Sequence, residues 1–377
     1  MNSSEKKVKE IFALAGIEIN GDRPCDPQIN NQDFYRRFMS DGRLALGESY
    51  MDGWWDCEDM YEMFCKLYSA LGLIANTLKS PAAMLIILRE KLLPYGSKTR
   101  SKNIGKHHYD IGNELYKRML DPYMVYSCGL WENGANSLAE AQQHKLQRIC
   151  EKLKIQPGHH LLEIGCGWGS FARYAAEHYK DIKVTGLSVS QEQINLGLEL
   201  CKDLPVELLY RDYRDHQGTY PRIVSIAMFE AVGKKYFRDY FKKVHDLLDK
   251  EGIFFMHTIG FNTSDYASPW IQKYIFPGAY LPSMTQIAKA SEGLFVIEHV
   301  ENIGPNYAPT LNAWHDNFID SWDEIHELNP EKYDERFKRM WIYYLLQCSA
   351  TFTTRIAPVW QLVMRKPEAS GSYFYKV

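Results

Sequence analysis

The sequence predicts an α/β fold, a doubly wound, mostly parallel sheet preceded by a smaller, mainly helical module. From about residue 145 short apolar runs alternate with helix-like stretches, the βαβ rhythm of a parallel sheet. Before residue 80 apolar positions recur at helical spacing instead, in Val8, Ile11 and Phe12 and again in Phe34 and Phe38. A length of 377 residues suits two domains better than one, and 45% hydrophobic residues fill a sizeable core.

Gly42, Gly47 and Gly53 punctuate an aromatic segment, Gly47 to Trp55, that reads as the packed centre of the helical module. Ser80-Pro81 is a helix start, and Met84 to Leu88 with Leu92 and Leu93 give an apolar face that ends at Pro94 and Gly96. From Lys79 to Lys106 seven basic residues oppose one acid, Glu90. An apolar helix running into a basic linker fits a membrane-surface element, and equally a core helix followed by a solvated linker. The expected division is an N-terminal lipid-docking domain over 1–95, a basic linker over 96–106 and a catalytic domain over 107–377. The strands are expected at Leu161 to Ile164, Val184 to Leu187, Val206 to Tyr210, Ile223 to Met228 and Ile253 to His257. Phe295 to Ile303 and Val359 to Met364 follow as late strands.

Bulk properties narrow the function. A net charge of −3 supplies no global field for nucleic acid. No apolar run approaches the ~20 residues that span a bilayer, and Met1 to Lys7 lacks a signal-peptide core. The expectation is a cytoplasmic enzyme. Its eight cysteines show no CxxC spacing, so neither a zinc site nor a disulfide framework is expected, and no metal.

The most specific motif is Leu161 to Gly169, in which Glu163-Ile164 leads into Gly165-Cys166-Gly167-Trp168-Gly169. Glycine permits the tight turn and lets backbone approach a ligand. The GxGxG spacing, and the lack of an acid after Val184 to Ser188, disfavour a dinucleotide site. The motif resembles the first motif of S-adenosylmethionine (SAM)-dependent methyltransferases. Its Trp168 narrows the resemblance to the cyclopropane-fatty-acyl-phospholipid synthase and mycolic acid cyclopropane synthase group. His108-Tyr109-Asp110-Ile111-Gly112-Asn113, Asp121-Pro122 to Cys128, Met228 to Gly233 and His257 to Gly260 resemble further blocks of that family. The N-terminal module is similar to the longer phospholipid enzymes. The resemblance implies a Rossmann-like methyltransferase fold with a seven-stranded sheet.

The resemblance implies a SAM site at Tyr126, Ser127, Glu163, Gly165, Cys166, Gly167, Trp168, Gly169, Ser188, Gln193, Tyr213 and Arg214. It also implies that Cys128, Glu230, His257, Ile259 and Tyr307 hold a bicarbonate ion as general base. The expected reaction adds a methylene unit to the cis double bond of an unsaturated phospholipid acyl chain, through a carbocation that loses a proton to close the ring. Glu230 would accept the bicarbonate O–H, and His257, Tyr307 and the backbone N–H groups of Cys128 and Ile259 would donate. Aromatic faces stabilise a cation, with Tyr274, Phe276, Tyr280 and Trp314 as candidates. Ala231 stands where many members carry histidine after the glutamate. The expected partners are a bilayer surface, at the inner face of the membrane, and a second subunit. The alternatives are a lipid methyltransferase giving methyl-branched or hydroxylated chains, and a non-catalytic lipid-binding protein on the same scaffold.

Overall fold

The computed structural model describes residues 3–77, 111–132, 134–263 and 268–375. The expected apolar helix at 84–93, the basic stretch from Lys79 to Lys106 and the His108-Tyr109-Asp110 motif lie outside the described residues.

The chain forms two compact units. One draws together described residues of Met1–Gly96, Tyr266–Pro277 and Leu311–Ile356. It contains helices Ser3–Leu14, Asp33–Met51, Met60–Ser69 and Leu71–Thr77, and a two-residue ribbon of β1 (Gln28–Ile29) with β2 (Trp55–Asp56). Helices Pro269–Tyr274 and Glu335–Thr353 belong to the same unit. The aromatic segment is its centre, as expected. Trp55, Trp270 and Tyr343 are buried, with the Trp270 and Tyr343 rings 4.6 Å apart. A Cβ at Gly47 would fall 2.4 Å from the Trp270 indole, which is why glycine stands there. Glu48 accepts hydrogen bonds from Arg37, Lys273 and Tyr274.

The other unit is a seven-stranded sheet among the described residues, ordered β5-β4-β3-β6-β7-β9-β8. Its strands are β3 (His160–Ile164), β4 (Lys183–Ser188), β5 (Val206–Tyr210), β6 (Tyr220–Ile226), β7 (Leu248–Ile259), β8 (Val296–Asn302) and β9 (Val359–Arg365). The first five run parallel, and β9 is antiparallel to both β7 and β8. All seven expected strands form. The one expected to reach Met228 stops at Ile226, because Ala227 turns to φ +51° and Phe229–Ala231 coils into a 3-10 turn.

Alternate residues of each strand feed two apolar layers, as a sheet covered on both faces requires. Leu161, Val224, Phe255 and Val363 pack with helix Leu138–Leu153 through Leu146, Ile149 and Leu153. Leu162, Ile223, Phe254 and Leu362 pack on the other face with helix Phe237–Leu247 through Tyr240, Phe241 and Val244. The chain leaves β3 toward β4 and β5, then crosses back to β6. Ligands of open α/β sheets bind outside the carboxyl ends of the strands at such a reversal.

Candidate active site

Both site motifs sit at that reversal. Gly165, Gly167 and Gly169 all have positive φ, at +84°, +55° and +79°. They let the chain turn from β3 into helix Ser170–His178. A Cβ at Gly165 would lie 2.4 Å from Met228, so the turn packs on the residue that follows β6. Gln193 sits across from Gly167, where an added Cβ would be 3.6 Å from Gln193 Nε2. Its carboxamide also accepts from Ser188 Oγ at 3.1 Å. Tyr213 and Arg214 follow β5 in a 3-10 turn, with Arg214 paired to Asp212 at 2.5 Å. Cys166 is buried, and burial pushes its thiol up.

Glu163 ends β3 almost fully buried and accepts from the Ala172 N–H at 3.2 Å. Burial pushes its carboxyl up to about 8, against that N–H and the charge of Lys145. Lys145 is itself fully buried and pushed down to about 8 by burial.

The Asp121 to Cys128 segment is a built loop. Asp121 accepts the N–H groups of Tyr123 and Val125 at 2.9 and 2.8 Å, around Met124 at φ +56°. Ser127 is then gripped twice by helix Leu138–Leu153. Gln142 Nε2 donates to its carbonyl at 2.8 Å and Lys145 Nζ to its hydroxyl at 3.1 Å. The Tyr126 ring meets Tyr116, which meets Trp168, each at 5.1 Å. Trp168 donates to Asn113 Oδ1 at 2.9 Å. The tryptophan of the glycine motif thus joins this loop to the Gly112-Asn113 end of the first block.

Glu230, His257 and Ile259 come together beside β6 and β7. The break after Ile226 brings Glu230 back so that its Oε1 accepts the Ile259 N–H at 2.6 Å. That N–H holds the carboxylate. Burial raises the Glu230 carboxyl to about 7, and the Ile259 N–H draws it down in part. His257 lies two residues earlier on β7 and is 1% exposed. Burial, then the charges of Lys145 and Lys152, push its pKa well down and keep it neutral. Glu230 Oε2 and both ring nitrogens of His257 have no hydrogen-bond partner among the described residues. Three buried polar atoms of mixed donor and acceptor capacity suit a small oxyanion that carries one O–H. Ala231 is exposed, so a side chain at that position faces away from the buried Glu230.

Cys128 and Tyr307 form the second pair. The Cys128 thiol donates to the Gly129 and Ile303 carbonyls, and burial pushes it well up. Gly129 N–H donates to Thr310 Oγ1 and Trp131 N–H to Asn306 Oδ1, at 3.1 and 2.9 Å. These bonds stitch the Cys128 segment to the turn from which Tyr307 opens helix Tyr307–Asp320. Lys145 lies within electrostatic range of both Cys128 and His257.

Of the aromatic candidates, Tyr280 follows in the same unit, its N–H donating to the Glu230 carbonyl at 2.9 Å. Tyr274 donates to Glu48, Phe276 packs edge-on to Tyr344, and Trp314 is fully buried.

Sequence reading missed Gln142, Lys145, Lys152, Glu301 and Gln361. A signal existed for the lysines. Lys145, Arg148 and Lys152 share the face of an amphipathic helix that also carries Leu146, Ile149 and Leu153, where charge is not expected. All eight cysteines are free, and no cluster of metal-ligating residues occurs among the described residues. Nor is any described helix long and apolar enough to cross a membrane.

Residues 96–362 match the family model described as mycolic acid cyclopropane synthetase. The chain is 46% identical over 363 residues to the cyclopropane-fatty-acyl-phospholipid synthase of Escherichia coli K12, covering 96% of this chain and 93% of that one. Among solved structures it is similar to the cyclopropane synthase MmaA2 from Mycobacterium tuberculosis, with a TM-score of 0.66 and 28% identity. That match covers 70% of this chain and 98% of the other. The mycolic acid cyclopropane synthase CmaA1, complexed with SAH and CTAB, superposes with a TM-score of 0.64 at 29% identity, over 70% of this chain and 98% of that one.

Proposed function

From the premise that this chain belongs to the mycolic acid cyclopropane synthetase family, we propose that it converts the cis double bond of unsaturated phospholipid acyl chains to a cyclopropane ring, with SAM as one-carbon donor and bicarbonate as base. The observation that supports this most is the buried trio of unpartnered polar atoms, Glu230 Oε2 and the two His257 ring nitrogens, beside the SAM-motif turn. A methyltransferase for amines has no use for such a set.

When bound, SAM supplies a sulfonium methyl to the alkene, and bicarbonate supplies a base oxygen for the proton lost as the ring closes. The glycine turn, Tyr126, Ser127, Ser188, Gln193, Tyr213 and Arg214 hold the first. Glu230, His257, Tyr307 and the Cys128 backbone hold the second. Their work is alignment and exclusion of water, since an alkene is a weak nucleophile and a carbocation is trapped by any water present. Glu230, fixed by Ile259, keeps Oε2 as an acceptor. Neutral His257 keeps one N–H as a donor. Cys128 presents no thiolate to trap the cation.

The reading is tested by incubating the protein with SAM, bicarbonate and vesicles of monounsaturated phospholipid, then analysing the acyl chains by mass spectrometry. The expected product gains one CH₂ and loses its alkene. A gain of CH₂ with the alkene retained would instead indicate a methyl-branched product, and no gain would overturn the enzymatic reading.

The substrate resides in a membrane, so the protein must reach a bilayer surface from the cytoplasmic side. The basic stretch from Lys79 to Lys106 supports an electrostatic approach. Sedimentation with vesicles rich in anionic lipid should pull the protein down at low salt and release it as salt rises. Binding indifferent to salt would refute this. A homodimer, one subunit gripping the surface while the other catalyses, is read by sedimentation velocity of the same sample.

A further inference from the structure

Charge on the core-facing side of a helix is costly unless it is paired. Lys145 carries that cost. It lies on helix Leu138–Leu153 beside Gln142 and Leu146, and all three are fully buried. Among the described residues its ammonium bonds one atom, Ser127 Oγ, at 3.1 Å. Asp121 and Glu163 act on it through charge alone, without a bond. Their oxygens are engaged by backbone N–H groups, those of Tyr123 and Val125 for Asp121 and that of Ala172 for Glu163.

An ammonium only donates, so Ser127 Oγ is the acceptor and its own O–H points away from Lys145. Ser127 is buried, and its carbonyl is taken by Gln142 Nε2 at 2.8 Å. Its O–H meets no acceptor among the described residues. Ser127 therefore keeps one free donor, held in place by two side chains of one helix and backed by a positive charge. That charge decides what can take the donor. SAM carries two positive groups, the sulfonium and the α-ammonium, and one negative group, the carboxylate. A buried ammonium repels the first two and attracts the third, more strongly than it would in water.

We propose that Lys145, acting through the Ser127 hydroxyl, is the positioning residue for the carboxylate of SAM. This rests on the reading of Tyr126 and Ser127 as part of the SAM site. Lys145 itself need not touch the cofactor. It holds Ser127 Oγ as an acceptor, turns the O–H outward, and sets by its sign which end of the methionine portion faces the hydroxyl. Orientation matters because the sulfonium methyl must line up with the alkene. The arrangement also accounts for the buried charge. Burial draws the ammonium down to about 8, and a carboxylate arriving beyond Ser127 favours the charged form again.

The test is calorimetric titration of the full-length protein with two ligands. One is S-adenosylhomocysteine. The other is its decarboxylated analogue, which keeps the amine and lacks the carboxylate. Lys145→Met preserves length and removes the charge, an exchange that buried sites commonly tolerate. It should weaken S-adenosylhomocysteine about tenfold or more, the scale of a hydrogen bond to a charged group. The decarboxylated ligand should bind this variant no worse than wild type. Ser127→Ala should show the same selective loss. The double variant should lose clearly less than the two single losses multiplied, since both act on one hydroxyl. Equal loss of both ligands in Lys145→Met is what a merely structural lysine would give, and it would overturn the proposal. So would undiminished S-adenosylhomocysteine binding, or full additivity with Ser127→Ala. A wild-type protein that binds no S-adenosylhomocysteine would instead sink the SAM reading itself.

Discussion

Glu230→Gln should lower the rate of cyclopropanation by on the order of 10³-fold, the scale of a lost general-base function, with affinity for S-adenosylhomocysteine nearly unchanged. The substitution keeps an oxygen for the Ile259 N–H, now 2.6 Å from Oε1, so the turn after β6 retains its anchor. It places an NH₂ where Oε2 stood. A donor there opposes the O–H of the anion and removes the acceptor. Equal loss of ligand affinity and rate would refute this division of labour.

The same residue sets a pH dependence. Glu230 must be ionised to accept, and burial raises its carboxyl to about 7. At constant free bicarbonate the wild-type rate should therefore fall as pH drops through about 7. An acid limb near the ordinary carboxylate range would contradict the buried setting. Stability runs the other way. A carboxyl whose folded pKa lies above its unfolded one favours the folded state while protonated, and that advantage is lost as pH rises toward the folded value. Glu230→Gln removes the penalty. Its Tm should match wild type below about pH 4 and exceed it at pH 8, which separates lost chemistry from lost fold.

Gly165→Ala is the second large effect, and it should cost both cofactor affinity and stability. At φ +84° a Cβ is strained by about 1–2 kcal/mol. The Cβ would also meet Met228 Cγ at 2.4 Å and Cβ at 2.7 Å, near the root of that side chain, where little can yield. Overpacking of this kind adds about 1–3 kcal/mol. Because Met228 precedes the turn that carries Glu230, relief at Gly165 moves the catalytic carboxylate as well. S-adenosylhomocysteine affinity, rate and Tm should all fall. Gly167→Ala is the control. Its Cβ meets only Gln193 Nε2, at an ordinary 3.6 Å, so backbone strain alone should appear. If the two alanines are equally costly in Tm, the Met228 account is wrong.

Much of this site was legible in the sequence. Trp168 stood out because an indole inside a glycine turn needs a reason, and the structure supplies Asn113 and Tyr116. Asp121 carries no signal of its own beyond its motif, yet it caps the loop that delivers Ser127. The bond from the Ile259 N–H to Glu230 was not legible, since donor and acceptor pairing depends on where a turn returns. The bonds of Lys152 to Gln361 and Glu301 were not legible at all. Gln361, Glu301 and Lys152 lie 60 or more positions apart from one another on β9, β8 and a helix, and none has a local pattern.

By itself the sequence determined the strand rhythm, the glycine turn at the end of the first parallel strand and the identity of the residues at the strand ends. Those features are local, because hydrophobic period and glycine φ preference act within a few residues. Tertiary structure alone decided that Pro269–Tyr274 and Glu335–Thr353 join the N-terminal helices in one compact unit. It alone decided that Ile259 holds Glu230, and that the buried Lys152 bonds both Gln361 and Glu301. Each of these rests on strand order and register, which pair residues far apart in the chain and which no local preference encodes.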